Sequence, residues 1–395
     1  MPTTRGWAAL GAGAALVVLW VVFGERLLLA GAAFLTIAVA MGTIYVRRID
    51  PRVALNRTIV PTQVHDGDRV IVTLEVSAAR RVYQPTLRDT VHPLGAAQFF
   101  AHRIDAGVPM VARYEVQCRP RGIYTIGPAD IQVRDPLGLS QAGGAVGTPD
   151  RLVVYPKVDD LDGLPIGRGQ DPTANTSRAS YSQTSGEDFF TLREYQQGDD
   201  LRRVHWPSSA KRDELMIRQL EIPWQSRALV VLDPRRGTYR NDEAFEHAVR
   251  GTASVIKHLY AAGYAPRLWA GGRGPGTPVG SADGYALAME ELATVRTATA
   301  LDLEATVARL RKGGSSGGIL VLVTGVADDA DLAVFRTFGR DFYRTLVMSV
   351  AEAENEAILR LGRAGVLAVL GSPETPWTGP WRNAMERAWS TATAG

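Results

Sequence analysis

The chain has 395 residues, 46% of them hydrophobic and 22% charged, with a formal net charge of +3. This is ordinary globular composition with room for two or three domains, and the charge is too small for a protein whose main partner is nucleic acid. Cys118 is the only cysteine, which excludes an internal disulfide and any cysteine-based zinc site.

Residues Gly6 to Gly24 carry no charge, Glu25 and Arg26 follow, and Leu27 to Val46 are again uncharged. Each stretch is about the 20 residues a helix needs to cross a hydrocarbon core. The turn between them permits only an antiparallel hairpin, here assigned to residues 6–46. A cleaved signal peptide is the competing reading. It is weakened by an n-region with only Arg5 and by the second apolar stretch that follows at once. Arg47, Arg48, Arg52 and Arg57 cluster after the second helix, and Arg5 precedes the first. The positive-inside rule then places both ends, and everything after residue 46, in the cytoplasm of a multi-pass cell-membrane protein. The helices hold no ionisable residue, so they read as an anchor and not as a transport path.

From residue 57 to 155 the pattern is short strands. "RVIVTLEVS" (Arg69 to Ser77) alternates apolar and polar residues, and "MVARYEVQCRP" and "GIYTIGPADIQVRDP" follow suit between Gly and Pro breaks. Turns at such spacing predict a β-sandwich. Residues 156–224 form a linker and signature segment, with a Gly-, Ser- and Thr-rich stretch and then "REYQQGDDLRRVHW" (Arg193 to Trp206).

From residue 225 to 395 strands and helices alternate. "RALVVLD", "PRLWAGG", "GGILVLVTG", "YRTLVMSV" and "VLAVLG" read as strands. "NDEAFEHAVRGTASVIKHLYAAGY", "DGYALAMEELATV", "LDLEATVARLRK", "DLAVFRTFGRD" and "ENEAILRLGRAG" read as helices, the first capped by Asn241 or Asp242 and stopped by Gly263. The fold class is therefore α/β plus β, ending in an open, doubly wound α/β domain.

Ligands bind such sheets at the carboxyl ends of the strands, which points to Asp233–Gly237 and to Thr324–Asp328. The arrangement resembles a von Willebrand factor A domain, whose Asp-x-Ser-x-Ser loop and second Asp hold a divalent cation through hard oxygens. Here Asp233 is kept, Arg235 and Gly237 stand at the two serines, and Gly325 follows Thr324 where Asp is usual. This degenerate loop is expected to hold no metal, with Asp233 pairing a nearby Arg or capping the next segment. Other signatures lack their context. "GGSSG" (Gly313 to Gly317) joins helix to strand, the reverse of a nucleophile elbow. "GGRGPG" (Gly271 to Gly276) has no helix start after it. His247 and His258, eleven apart on one helix, read as surface or half-buried residues. "NRT" (Asn56 to Thr58) spells a glycosylation sequon that a cytoplasmic position would make meaningless.

The stretch "GEDFFTLREYQQGDDLRRVHW…SSAKRDELMIRQLE" resembles the bacterial family called domain of unknown function 58. Its pattern matches Arg193, Tyr195, Gly198, Asp199, Arg202, Trp206, Ser209, Ala210 and Arg218. "RGIYTIGPADIQVRDPLGL" (Arg121 to Leu139) resembles the family's second hallmark. Pro207 after the Trp, and Lys211 in place of Arg, depart from the pattern. The resemblance implies a non-enzymatic, membrane-anchored adaptor or assembly factor that partners a MoxR-type AAA+ ATPase and needs no cofactor.

Three function classes follow. The leading one is a protein-interaction module. Its rival is a hydrolase using Asp199, Asp200 and His205. The third is an outward-facing, metal-dependent adhesion protein, which needs an intact cation site and the opposite topology. The charged signature reads as a structural clasp or as a docking surface. The clasp has Asp199 and Arg202 paired across a helical turn and the Trp206 ring buried between the β-sandwich and the α/β domain.

Overall fold

The computed structural model describes residues 1–48, 53–163, 190–194, 204–212, 214–220, 227–299, 301–312, 318–351 and 366–393. They fall into two compact units, Met1–Tyr155 and Pro156–Gly395.

The first unit opens with α1 (Thr4–Phe23) and α2 (Arg26–Arg48), both long and apolar enough to cross a membrane. Thr3 caps α1 by accepting from the Gly6 amide, and Gly24 ends it in the left-handed conformation that glycine tolerates. Eleven strands follow: β1 (Val53–Val60), β2 (Val64–His65), β3 (Arg69–Ala78), β4 (Val82–Tyr83), β5 (Thr86–His92), β6 (Gly95–Phe100), β7 (Arg103–Ile104), β8 (Met110–Gln117), β9 (Gly122–Arg134), β10 (Gln141–Val146) and β11 (Asp150–Tyr155). One sheet has the order β1-β3-β8 and another β2-β11-β9-β5-β6, with β10 also on β9. Alternate residues of both sheets (Val70, Val72 and Leu74 from β3; Leu87 from β5; Ile126 and Ile131 from β9) share one buried cluster. That is the consequence of period-two patterning.

Two local devices sit in the hallmark of residues 121–139. The β5–β9 register slips between Asp89 and Val91, opposite Gly127 and Pro128. Gly127 has φ +84°, and a Cβ there would lie 2.3 Å from the Arg57 guanidinium. The bulge thus makes room for Arg57, which donates to Asp89 through Nη2 at 2.7 Å and Nε at 3.2 Å and to Asp150 through Nη1 at 2.6 Å. Tyr114 donates its hydroxyl to the same Asp89 carboxylate at 2.6 Å.

The second device is the β9–β10 turn. Asp135 holds it by accepting from the Ser140 amide at 2.5 Å and the Leu137 amide at 3.1 Å. The turn fastens to both helices. Leu139 O accepts from the Thr3 amide at 2.8 Å, and Ser140 Oγ meets Thr43 Oγ1 at 2.9 Å. Gly6 and Gly42 permit the approach, since a Cβ at Gly6 would overlap Leu139 O and one at Gly42 would press the Asp135 carboxylate.

In the second unit β12 (Phe190–Glu194) pairs antiparallel with β13 (Met216–Leu220), and α3 (Trp206–Arg212) precedes β13. The main sheet contains β14 (Arg227–Leu232), β15 (Ala265–Trp269), β16 (Thr277–Pro278), β17 (Ile319–Thr324), β18 (Arg344–Val350) and β19 (Leu367–Gly371), in the order β16-β15-β14-β17-β18-β19. All neighbours are parallel except β15 and β16. The helices are α4 (Asp242–Ala261), α5 (Ala282–Thr294), α6 (Leu303–Lys312), α7 (Asp329–Gly339) and α8 (Thr378–Thr393). Asn241 caps α4, accepting from the Ala244 amide at 2.8 Å, and Gly263 follows its end with φ +83°. The helix expected over "ENEAILRLGRAG" and the "GGSSG" stretch lie outside the described residues.

Helix α8 is an addition to the elements expected from sequence. Its anchors, Trp377 and Trp381, are fully buried. Gly251 in α4 makes space for Trp377, because a Cβ there would lie 2.8 Å from the indole. The Trp377 ring stacks on His247, with centroids 4.6 Å apart and planes at 11°. His247 is therefore a core residue, which corrects the surface or half-buried reading. Burial first, and then the Arg250 charge, lower its pKa to about 4. His258 is half-buried, with Nε2 2.7 Å from Gly163 O. Residues just after β11 also belong to this unit: the Asp159 amide donates to Ser254 Oγ at 2.8 Å, and its carboxylate accepts from the Trp377 amide at 3.0 Å and pairs with Arg250.

Candidate functional site: the switch point of the α/β sheet

From β14 the chain moves to β15 on one side and later to β17 on the other, so the strand order reverses between β14 and β17. Clefts outside the carboxyl ends of strands form at such a point. The residues that leave these two strands are Asp233 and Thr324.

Backbone contacts bring the two loops together. The Asp233 amide donates to Val323 O at 2.8 Å, extending the β14–β17 ladder by one residue. The chain then turns through a short 3-10 segment, Arg236–Thr238. Thr238 O accepts from the Val326 amide at 2.7 Å. Gly325 lets the loops touch, since a Cβ there would lie 2.0 Å from Thr238 O. A second tie runs to Ala298, whose amide donates to Pro234 O at 2.7 Å and whose carbonyl accepts from the Arg236 amide at 2.9 Å.

The side chains converge on one guanidinium. Arg235 donates from Nε to Asp233 Oδ1 at 3.0 Å and from Nη2 to Asp233 Oδ2 at 2.8 Å. It also donates from Nη1 to Asp331 Oδ1 at 2.7 Å and from Nη2 to Asp331 Oδ2 at 2.8 Å. Each carboxylate is held at two points by one planar cation, the fork geometry for which arginine is suited. Asp233 also accepts from Thr324 Oγ1 at 2.9 Å and from the Arg235 amide at 3.0 Å, while its carbonyl accepts from Tyr239 OH at 2.6 Å. Asp331 lies in the first turn of α7, its amide capped by Asp328 Oδ1 at 2.8 Å. The cluster is largely sequestered, with side-chain exposures of 3% for Asp233, 19% for Arg235 and 15% for Asp331.

Burial opposes the charge on Arg235, but the hydrogen bonds and fields of Asp233 and Asp331 outweigh it and hold the pKa above the usual arginine value. Burial first, and then Asp233, push the Tyr239 hydroxyl well above its ordinary value. Two carboxylates share one cation, so the three groups carry one net negative charge.

Asp233, Arg235 and Thr324, singled out in the sequence, do meet here. Gly237 forms the turn and offers no side chain. Asp331 escapes sequence reasoning, because a first-turn aspartate after an Asp N-cap reads as helix chemistry alone. The donor set does not fit a divalent ion: all four carboxylate oxygens of Asp233 and Asp331 accept from Arg235, and positions 235 and 237 carry an arginine and a glycine. Among the described residues no group of three His, Cys, Asp or Glu side chains is placed to hold a metal.

The signature segment is described in part. Leu192 lies opposite Arg218 and Arg193 opposite Ile217 on the β12–β13 pair. Ser209 Oγ accepts from the Met216 amide at 2.9 Å and donates to His205 O at 3.1 Å, tying α3 to β13. His205 Nδ1 lies 2.7 Å from Ser208 Oγ. Trp206 is 67% exposed, which corrects the expected burial of its ring. As the first residue of the short helix α3 it points its indole away from the core its neighbours Val204 and Ser209 join. Tyr195, Gly198, Asp199, Asp200 and Arg202 lie outside the described residues.

Residues 191–367 match the sequence model of a family described as protein of unknown function DUF58. That stretch of the chain is similar to the family. Over 210 residues it is 28% identical to an uncharacterized protein of Bacillus subtilis, YeaD, covering 51% of each chain, so it spans about half the length of that curated relative. The DUF58 segment therefore contains the switch-point cluster and the β12–β13 pair. Among solved structures, a von Willebrand factor type A protein from Catenulispora acidiphila is similar at 13% identity, over 44% of this chain and 43% of that one, with a TM-score of 0.30. The CARDB domain of the Pyrococcus furiosus PF1109 protein is similar at 10% identity, over 27% of this chain and 88% of that one, with a TM-score of 0.21. Likenesses this small settle neither fold nor ligand, and the strand order described above stands on its own pairing.

Proposed function

We propose that this DUF58 protein is a membrane-anchored, non-enzymatic interaction and assembly factor, in which a helical hairpin tethers a β-sandwich and an A-domain-like module on the cytoplasmic face. The single observation that carries the reading is the switch-point cluster. At the place where such a sheet would set reactive groups, every carboxylate oxygen of Asp233 and Asp331 accepts from Arg235. A cluster whose two carboxylates are both held by one guanidinium suits a rigid recognition face. A MoxR-type AAA+ ATPase is the partner proposed, from the family resemblance.

The test is capture. The full chain, purified in detergent with a photo-crosslinker at Trp206, should crosslink a purified MoxR-type ATPase and change its ATP turnover. No crosslink and no change in turnover would remove that partner. Topology needs a separate probe. Cys118 is buried, and burial and then Asp68 push its thiol up to about 11, so it will stay silent to membrane-impermeant reagents. A cysteine introduced at exposed Ala145 in β10 is suitable. Labelling only after cell lysis supports the cytoplasmic placement, and labelling in intact cells overturns it.

A further inference from the structure

The switch-point cluster has the composition of a hard-cation site and the contents of an ion pair. The oxygens of Asp233 and Asp331 surround a single positive centre, and Thr324 Oγ1 donates to Asp233 Oδ2 beside it. Oδ2 of Asp233 and Oδ2 of Asp331 each lie 2.8 Å from the same nitrogen, Arg235 Nη2. Two mostly buried carboxylates this close repel each other and require a counter-charge, whatever its chemical nature. Divalent ions supply that charge in many oxygen-lined cups, at about 2.0–2.6 Å from their ligands. Here the charge comes from the chain itself, two residues after Asp233, at the first of the two positions where the cation-binding loop it resembles carries serine.

We propose that Arg235 is the permanent cation of this site. Its guanidinium takes the place a divalent ion would hold between Asp233 and Asp331, so the face is assembled without metal and Arg235 closes a latent hard-oxygen site. Three features support a built arrangement. The guanidinium is held at both carboxylates, not at one. Gly325 and Thr238 bring the two loops to contact distance through backbone, so that approach does not need the Arg235 side chain. Gly237 faces open space, with nothing within 4 Å of where a Cβ would stand, so sterics do not exclude a hydroxyl ligand there. The surface would therefore keep one shape whatever the divalent-ion concentration, unlike a face whose ion must be bound first. This inference concerns the cation and does not depend on which partner the face meets.

The experiment compares the full chain in detergent with Arg235→Gln and Arg235→Lys. The probes are Mn²⁺ binding by electron paramagnetic resonance, and melting with and without millimolar Mg²⁺. Wild type should bind no Mn²⁺ at this site, and neither EDTA nor Mg²⁺ should move its melting temperature. Arg235→Gln should melt several degrees lower, gain one saturable Mn²⁺ site, recover stability in Mg²⁺, and lose the site again in Arg235→Gln/Asp331→Asn. Arg235→Lys keeps a charge but cannot bridge both carboxylates, and should bind Mn²⁺ more weakly than the Gln variant. Variants that fold only when Mn²⁺ is supplied would support the proposal equally. A wild-type Mn²⁺ site abolished by Asp233→Asn would overturn it. So would folded variants that bind no Mn²⁺, or variants that fail to fold even with Mn²⁺, because then no metal can stand in for the guanidinium.

Discussion

Removing the Asp89 carboxylate should cost the first unit a large share of its stability. Arg57 and Asp89 are 2% and 0% exposed, and both are charged partners in one network with Tyr114. Burial works against the Arg57 charge, yet hydrogen bonds to Asp89 and Asp150 outweigh it and hold its pKa above the usual value. Asp89→Ala would leave the guanidinium with Asp150, whose carboxylate is 42% exposed, and the Thr148 carbonyl at 3.0 Å. It would also orphan the Tyr114 hydroxyl. Losing one partner of a buried pair costs about 3–5 kcal/mol. For a unit of this size about 2–4 °C accompanies each kcal/mol, so a fall of roughly 6–20 °C is expected. The assay is calorimetry of the full chain, in which the transition of the first unit should move while that of the α/β unit stays. The apolar triple replacement Arg57→Met, Asp89→Leu, Tyr114→Phe should recover most of the loss, because the one carboxylate it leaves without its partner, Asp150, is 42% exposed and can be solvated. A fall below about 3 °C in Asp89→Ala, or a triple variant as unstable as the single one, would refute the reasoning.

Three other outcomes are expected. His247 is held neutral in the core with its pKa lowered to about 4. The unfolded chain, with its histidine near 6.5, therefore binds the proton first. Stability should then fall as pH drops from about 6.5 to about 4 and level off below, a loss on the order of 3 kcal/mol that His247→Phe should flatten in pH-dependent melts. Gly325→Ala would set a Cβ 2.0 Å from Thr238 O. It should lower the α/β melting temperature by several degrees, whereas Gly237→Ala, which meets open space, should change it by less than about 2 °C; equal effects would contradict the close approach of the two loops. Asp135→Ala removes the acceptor for the Leu137 and Ser140 amides. It should speed hydrogen exchange at the Thr3 amide, which donates to Leu139 O, and unchanged exchange there would show that the turn does not fasten the hairpin.

Much of the architecture is legible locally. The apolar stretches that form α1 and α2, the alternation in β3, the Asn241 cap and the continuous apolar run of β17 each follow from periodicity within a few residues. Asp233, Arg235 and Thr324 are likewise identifiable, because the ends of parallel strands are where such sheets place polar groups. What stays hidden depends on contacts distant in sequence. Asp331 looks like helix-start chemistry until the β14–β17 reversal brings α7 over the Asp233 loop. The Gly127–Pro128 step looks like a turn until Arg57, 70 positions earlier in the chain, is found in the space it opens. His247 and the Trp377 anchor share no local signal either, since Gly251 and Gly371 become meaningful only when an indole lies against both. Trp206 shows the opposite error: an aromatic side chain suggests burial, but one at the first position of a short helix is free to face solvent. Sequence by itself determines where hydrogen-bonded elements begin and which face is apolar, because those depend on near neighbours. Which charge neutralises which is decided only by the tertiary structure, because a buried carboxylate selects the cation that packing brings within about 3 Å, wherever it lies along the chain.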